Sequence, residues 1–314
     1  MRYYMAPLEG ITDSIYRRLH HKYFPGADRY YTPFFSPTIH RALTSREARE
    51  LPPADTLGVE VVPQLLTKVP ADFIWMTGVC KDLGYQEVNL NLGCPSGTVT
   101  AKGKGSGMLR EPDVLRQFLE EIFAGTKLPI SIKTRIGFTE PEEFSNLLDI
   151  YNQFPIRELT VHPRVRQAFY NGDVDMEAFR FAARHSQNPL CYNGNLCTLT
   201  QIDGFSRDFP EIPAVMLGRG LIGDPGMLTP GGTTREKLEG FLCELLEEYT
   251  VAFHGSRNAM FRLKENWRYL FGLFQPDARL QKRLRKTTDL QEYKVITGEI
   301  LHNLPMLPTY SPDW

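Results

Sequence analysis

The feature that most limits what this chain can become is an alternation running through roughly its first 220 residues. Short apolar or alternating segments, each stopped by Pro, Gly or a polar cluster, trade places with longer segments whose apolar residues recur at helical spacing. Strands are expected at residues 2–6, 29–32, 58–66, 87–91, 128–135, 157–162, 189–193 and 214–217. Helices are expected at 14–20, 70–83, 111–123, 141–151, 176–185 and 198–205, with a long loop carrying one helical turn at 36–56. Eight strand units over that length predict an α/β fold, a closed (β/α)8 or TIM barrel. A doubly wound open sheet is the alternative, but no Gly-x-Gly-x-x-Gly follows the first strand.

The segment 229–234, TPGGTT, reads as a linker, and beyond it the pattern turns helical, at 235–253, 259–274, 279–286 and 289–301. The expected organisation is a barrel domain over 1–230 and a smaller all-helical domain over 235–314. From Arg257 to Lys286 nine Lys or Arg stand against two acids, in a chain whose net charge is only −1. Such a run is commonly a solvated helix face. The interleaved Phe261, Trp267, Tyr269 and Phe271 lie at helical spacing, which suits a core as well as a stacking platform.

The five cysteines are odd in number and form no C-x-x-C pair, so reduced thiols in a cytoplasm are expected, with no disulfide framework and no metal site. No apolar run is long enough to cross a bilayer, and the first residues lack the apolar stretch of a signal peptide. No obligate protein partner is evident.

In a barrel of this kind the chemistry sits at the carboxyl ends of the strands. The fourth expected strand runs into Gly93-Cys94-Pro95, which places Cys94 at the head of a loop, with the amide of Asn91 three residues before it. The loop that follows carries Lys102, Gly103, Lys104, Gly105 and Gly107 and reads as a flexible cationic lid. A thiol so placed suits proton transfer to a polyanionic substrate, although a lone cysteine is more often a small buried hydrophobe. The other strand ends supply Pro7 and Glu9, Gln64, Lys133 and Arg135, His162 and Arg164, Asn193, and Gly218 with Arg219. Small-residue turns after the last two strands are the usual phosphate site of such barrels. A strand-end lysine can stabilise negative charge on a ligand ring. A phosphorylated ligand follows, a flavin mononucleotide or a sugar phosphate.

Several segments, in this order and spacing, resemble the tRNA-dihydrouridine synthase family: APLEGITDSIYR (6–17), VVPQLL (61–66), NLNLGCP with the following K-G-x-G (89–105), ISIKTRIG (130–137), LTVHPRVRQAFYNGDVD (159–175), YNGN (192–195), VMLGRG (215–220) and RLKENWRYLF (262–271). The resemblance implies flavin mononucleotide (FMN) held by Pro7, Leu8, Glu9, Gln64, Lys133, His162, Asn193, Gly194, Asn195, Gly218 and Arg219. It implies NADPH as the reductant and tRNA as the partner. Hydride would pass from the reduced flavin to C6 of a D-loop uridine, and Cys94 would give the proton to C5, with Asn91 beside it. Lys102, Arg135, Arg164 and Arg166 near the mouth, and Arg262, Lys264 and Arg268 on the helical tail, would meet the RNA.

The chain departs from the family pattern in places. His-Gly-Arg-Thr becomes His162-Pro163-Arg164-Val165, a glutamate becomes Pro33, and Ala-Asn-Gly-Asp becomes Tyr192-Asn193-Gly194-Asn195. These changes bear on which uridine is chosen. A flavin-dependent reductase of free pyrimidines or another small molecule, and a non-catalytic tRNA-binding scaffold, are the rival readings.

Overall fold

A computed structural model of the chain describes residues 1–38, 40–56 and 58–312. Ile39, inside the loop expected at 36–56, lies outside the described residues, as does Leu57 before the third strand. Among the described residues nine parallel strands form one sheet: β1 (Arg2–Met5), β2 (Arg29–Tyr31), β3 (Glu60–Val62), β4 (Gln64–Leu65), β5 (Val88–Leu92), β6 (Ile130–Gly137), β7 (Leu159–Val165), β8 (Leu190–Tyr192) and β9 (Ala214–Leu217). Their order is β3-β2-β1-β9-β8-β7-β6-β5-β4.

Pro63 explains why nine strands appear where eight were expected. It has no N–H to give the ladder, so the single segment expected at 58–66 is divided into β3 and β4. The division does not open the sheet. On one side Thr32 N donates to Val62 O (3.1 Å) and Phe35 N to Gln64 O (2.8 Å); on the other Asn89 N donates to Pro63 O (2.8 Å). One broken strand thus pairs with both β2 and β5, and the barrel closes.

Closure changes what an alternating strand means. The polar–apolar alternation of β5 would ordinarily mark a half-exposed strand, yet all five residues are buried. Val88, Leu90 and Leu92 sit on one face, while Asn89 and Asn91 share the other with Gln64 and Ser131. The polar face is the barrel lumen. Near the amino ends of the strands that lumen holds a buried ion pair. Arg29 pairs with Glu87 at 3.1 Å, both side chains 7% exposed, and also reaches the exposed Glu60 at 2.5 Å. Tyr4 donates to Glu158 at 3.0 Å, and Arg2 reaches the same carboxylate at 3.1 Å.

By packing, the chain separates into two compact units. One comprises Met1–Pro7, Asp28–Asn195 and Phe209–Met216; the other Leu8–Ala27, Leu196–Asp208 and Leu217–Trp314. The first holds nearly all of the sheet and the helices Pro70–Asp82, Pro112–Gly125, Glu143–Tyr151 and Met176–His185. Pro70 and Pro112 open their helices, where a missing N–H costs nothing.

The second unit is built on the helices Ser14–Tyr23, Leu199–Asp208, Arg235–Ala252, Ser256–Leu270, Ala278–Lys286 and Leu290–Asn303. Side-chain caps start most of them. Asp13 accepts from Tyr16 N at 3.0 Å, and Thr234, Asp277 and Asp289 do the same for their helices. Phe241 packs edge-on against Tyr16 (5.4 Å) and Phe24 (5.5 Å), which binds the helix Ser14–Tyr23 to Arg235–Ala252. Trp267 is buried and donates to Tyr293 Oη at 3.1 Å, so it is core rather than platform. Among the described residues no helix is long and apolar enough to cross a membrane.

Arg29→Met should lower unfolding free energy by about 3–5 kcal/mol in urea denaturation, because it strands the Glu87 carboxylate in the lumen. The double variant Arg29→Met/Glu87→Gln should recover part of the loss.

Candidate functional site

The sharpest local structure lies where β5 ends. Asn91 Oδ1 accepts from the backbone N–H of Gly93 (3.0 Å) and of Cys94 (2.9 Å), an asparagine-nucleated turn. The carbonyl of Gly93 accepts from Arg135 Nε at 2.9 Å. The carbonyl of Cys94 accepts from Ser106, from Oγ at 2.7 Å and from N at 3.2 Å. Both peptides flanking the partly exposed Cys94 are therefore held. No two of the five cysteines form a disulfide.

The loop after Cys94 is not the flexible lid that its glycines suggested. Gly97–Thr100 forms a helical turn and Gly105–Arg110 a 3-10 helix, and Gly105 to Leu109 are buried. The glycines are there for close packing. Gly105 has φ +57°, and a Cβ on it would stand 3.0 Å from Cys94 O; one on Gly107 would stand 2.8 Å from Thr100 O. Lys104 reaches inward to Ser36 Oγ at 2.8 Å, while Lys102 remains exposed.

Beneath Cys94 the lumen carries amides. Asn91 Nδ2 donates to Gln64 Oε1 (2.7 Å), Gln64 Nε2 to Asn89 Oδ1 (2.8 Å), and Asn89 Nδ2 to Ser131 Oγ (2.9 Å). Lys133 sits beside Asn91 in the register of β5 with β6, and Arg135 beside His162 in that of β6 with β7. Burial, with the Arg135 guanidinium, pushes the Lys133 ammonium down to about 7; the Cys191 and Cys94 thiols oppose this. An anion placed against Lys133 would restore its charge. At the neighbouring strand ends Asn193 Nδ2 donates to Met216 O at 2.7 Å. Gly194 lies so close under the Tyr192 ring that a Cβ would meet Tyr192 Oη at 2.4 Å. Asn195 is exposed.

The arginines expected to meet RNA at the mouth are engaged internally. Arg135 is 1% exposed, donates to Val165 O (3.0 Å) as well as Gly93 O, and lies 5.4 Å over the Tyr170 ring. Its burial pulls its pKa down to about 10, with Tyr170 opposing. Arg164 meets His162 Nε2 at 2.9 Å and donates to Asn171 O and Gly172 O. Arg166 donates to Pro95 O (3.1 Å) and Thr100 Oγ1 (3.3 Å) and stacks over Phe169 (4.9 Å) and Phe138 (5.3 Å). Arg135 and Arg166 brace the segments on either side of Cys94, and Arg164 holds the turn after Tyr170.

The structure also brings forward residues that the sequence reading left out. Tyr170 is 53% exposed and stacks on His162 at 6.2 Å; Phe169 beside it is 39% exposed at φ +50°. Their adjacency in QAFYNGDVD, next to Arg166, was the available signal. Asn89 and Ser131 gave none, because both read as ordinary strand residues.

The remaining candidates lie in the second unit, apart from Pro7, which ends a segment of the first. Leu8 and Glu9 form a tight turn in which Leu8 N donates to Thr12 Oγ1 (2.8 Å) and Ile11 N to Leu8 O (3.0 Å). Gly218 precedes the helical turn Arg219–Gly223, and Leu221 N donates to Gly218 O at 3.0 Å. Arg262 donates to Gly10 O and pairs with Asp13 at 3.7 Å. Lys264 caps the helix Ala278–Lys286, donating to Arg285 O (2.8 Å) and Thr287 O (2.7 Å). Of the three tail cations, Arg268 is the exposed one.

The lumen residues fit an isoalloxazine ring. Gln64 uses one amide hydrogen on Asn89 and one lone pair on Asn91, which leaves one of each for the carbonyl and N–H edge of a ligand. Lys133 supplies a cation that a negative ring would draw back into its charged form.

Comparison with known proteins adds the following. The family model described as dihydrouridine synthase (Dus) matches residues 4–294. The tRNA-dihydrouridine synthase B of Pasteurella multocida is 26% identical over 323 residues, covering 98% of this chain and 94% of that one. A probable tRNA-dihydrouridine synthase of Staphylococcus aureus is 25% identical over 320 residues, covering 94% of this chain and 92% of that one. Among solved structures, a variant of NCR from Zymomonas mobilis superposes with a TM-score of 0.51 at 14% identity, over 76% of this chain and 87% of that one. That likeness is one of fold.

Burial of Lys133 should show in the pH dependence of stability. Below about pH 7 the lysine is charged in the folded and unfolded states alike, and the fold bears the full cost of the buried charge. Between about 7 and the ordinary 10.5 the unfolded chain binds a proton that the folded protein has released, so stability rises with pH. The stability difference between the wild-type protein and Lys133→Met, followed by denaturant unfolding, should shift in favour of the wild type from pH 7 to pH 10. A pH-independent difference would contradict the assignment.

Proposed function

Because the chain belongs to the dihydrouridine synthase family, we propose that it reduces uridines in the D-loop of tRNA to 5,6-dihydrouridine in the cytoplasm, with FMN as cofactor and NADPH as reductant. The observation that carries the reading is the hold on Cys94. A thiol is presented at a strand end by Asn91, Arg135 and Ser106, directly above a lumen whose Gln64 and Lys133 suit a flavin ring.

Bound flavin would supply the two electrons taken from NADPH, as a hydride to C6 of the uracil. Addition at C6 builds enolate charge between C5 and O4, and the Cys94 thiol relieves it by giving a proton to C5. The thiolate then regains a proton from solvent. Asn91 acts on this step through the Cys94 backbone, and one hydrogen of its Nδ2 stays available to a uracil carbonyl. Lys133 balances negative charge at the ring edge. A uridine in folded tRNA has to be turned out of its stack to reach Cys94. The exposed Tyr170 and Phe169 offer ring faces for it, and Arg135, Arg164 and Arg166 keep those rings and the Cys94 loop in place.

The same proposal assigns His162, Asn193, Gly194 and Asn195 in the first unit to the cofactor, and Pro7, Leu8, Glu9, Gly218 and Arg219 by resemblance. Of the cations assigned to RNA, Lys102 and Arg268 are the exposed ones, available to its phosphates. Arg262 and Lys264 serve the RNA by holding the shape of the second unit, through Gly10 and Asp13 and through the end of the helix Ala278–Lys286.

Cys94→Ser should keep flavin absorbance and NADPH oxidation while dihydrouridine formation falls by about 100-fold or more, the scale of a lost general acid; unchanged product by mass spectrometry would assign the proton to another group. The tail cations should separate. Arg268→Gln should weaken tRNA binding and reduce the salt slope of log K by about 1 without altering the melting temperature. Arg262→Gln should lower the melting temperature.

A further inference from the structure

We infer that Asn89 and Ser131 are positioning residues for the reaction, setting the orientation of Gln64 and Asn91 from below, out of reach of the substrate. The inference builds on the flavin-dependent reading where it concerns Gln64, and stands on geometry alone where it concerns Cys94.

The argument runs downward from a fixed point. A backbone N–H can only donate, so the N–H groups of Gly93 and Cys94 require an acceptor, and Asn91 must present Oδ1 to them. Its Nδ2 is thereby turned toward Gln64, which must answer with Oε1. Gln64 Nε2 then faces Asn89, which must answer with Oδ1. Asn89 Nδ2 in turn faces Ser131, whose hydroxyl oxygen accepts and whose hydrogen remains free to turn toward Val88 O at 3.5 Å. Each amide has one orientation consistent with its neighbours. A flip anywhere would set donor against donor or acceptor against acceptor.

Burial gives the chain its force. Gln64, Asn89 and Ser131 are 0% exposed and Asn91 is 7%, so water offers little substitute for a lost partner. Asn89 and Ser131 face each other in the register of β5 with β6, a full strand repeat below Asn91 and Lys133. They therefore act through Gln64 and Asn91. With Asn89 in place, Gln64 shows a ligand one amide hydrogen and one lone pair in fixed positions, and Asn91 keeps its oxygen on Cys94. Without an acceptor at Asn89, the Gln64 amide has no reason to keep its orientation, and Asn91 loses the partner that holds its own.

The test separates acceptor chemistry from bulk. Asn89→Leu keeps the branched outline of the side chain, with slightly larger methyl groups, and removes the acceptor; Ser131→Ala adds no bulk and controls for that difference. Asn89→Asp keeps the acceptor for Gln64, and the Ser131 hydroxyl can rotate to donate to it. Ser131→Ala removes only the last link and serves if Asn89→Leu does not fold. The readouts are amide hydrogen exchange at Gly93 and Cys94 in the protein without cofactor, the absorbance spectrum of bound FMN, and kcat with tRNA. Asn89→Leu should speed exchange at both amides, shift the flavin bands and lower kcat by about 10- to 100-fold, with tRNA affinity unchanged. Ser131→Ala should move the same readouts less, and Asn89→Asp should stay near wild type. Unchanged exchange and an unchanged flavin spectrum in Asn89→Leu, or in Ser131→Ala if the former does not fold, would overturn the inference. Failure of the wild-type protein to bind flavin would instead overturn the proposed function, and the exchange measurement would still decide this one.

Discussion

A closed sheet encloses its inward face, and any polar group placed there has to find its partner inside. Much of this molecule follows from that constraint. At the amino ends of the strands the lumen is settled by the ion pair of Arg29 with Glu87 and by Tyr4 on Glu158, while Arg29 also reaches the exposed Glu60. At the carboxyl ends it is settled by amides, and their upper end is the pair of backbone N–H groups at Gly93 and Cys94. Cys94 is thus held from within the barrel by a directional run of hydrogen bonds. Arg135 and Ser106 hold it through the carbonyls on either side.

The arginines show how the same economy extends to the rim. Guanidinium groups that a sequence reading gives to RNA donate to the protein's own carbonyls, at Gly93, Val165, Asn171, Gly172 and Pro95. Each of those carbonyls lies at the end of a strand or in the loop that follows it, so a positive rim and an ordered rim have one origin. Electrostatic attraction for a polyanion is kept, since the charges remain, while the side chains lose the freedom that would otherwise be a cost on binding.

The barrel was legible because parallel strands and their helices leave a repeating pattern, and the ends of Met176–His185 and Ala214–Leu217 fall where that pattern placed them. Pro63 was visible too, but its effect depended on a partner strand on each side, which no local signal supplies. The Cys94 loop was misread as mobile because glycine permits freedom as well as close contact; only the approach of Gly105 to Cys94 O distinguishes them. Cys94, Gln64 and Lys133 could be named from their places at strand ends. Asn89 and Ser131 could not, since a residue that acts through a neighbour carries no mark of it in one dimension. The tail cations were legible as charge but not as role. Arg262 and Lys264 turn inward to Gly10 and to the end of the helix Ala278–Lys286, which depends on packing across long stretches of chain.

The central claim is that Cys94 above a flavin-bearing lumen completes the reduction of a uridine in tRNA. Its most direct test is to incubate the purified, FMN-loaded protein with NADPH and tRNA lacking dihydrouridine, beside a parallel reaction on free uridine, and to map both products by mass spectrometry. The account predicts a gain of two hydrogens at defined D-loop uridines and no comparable turnover of free uridine. Reduction of free uridine with the tRNA left intact, or no reduction of either, would contradict it.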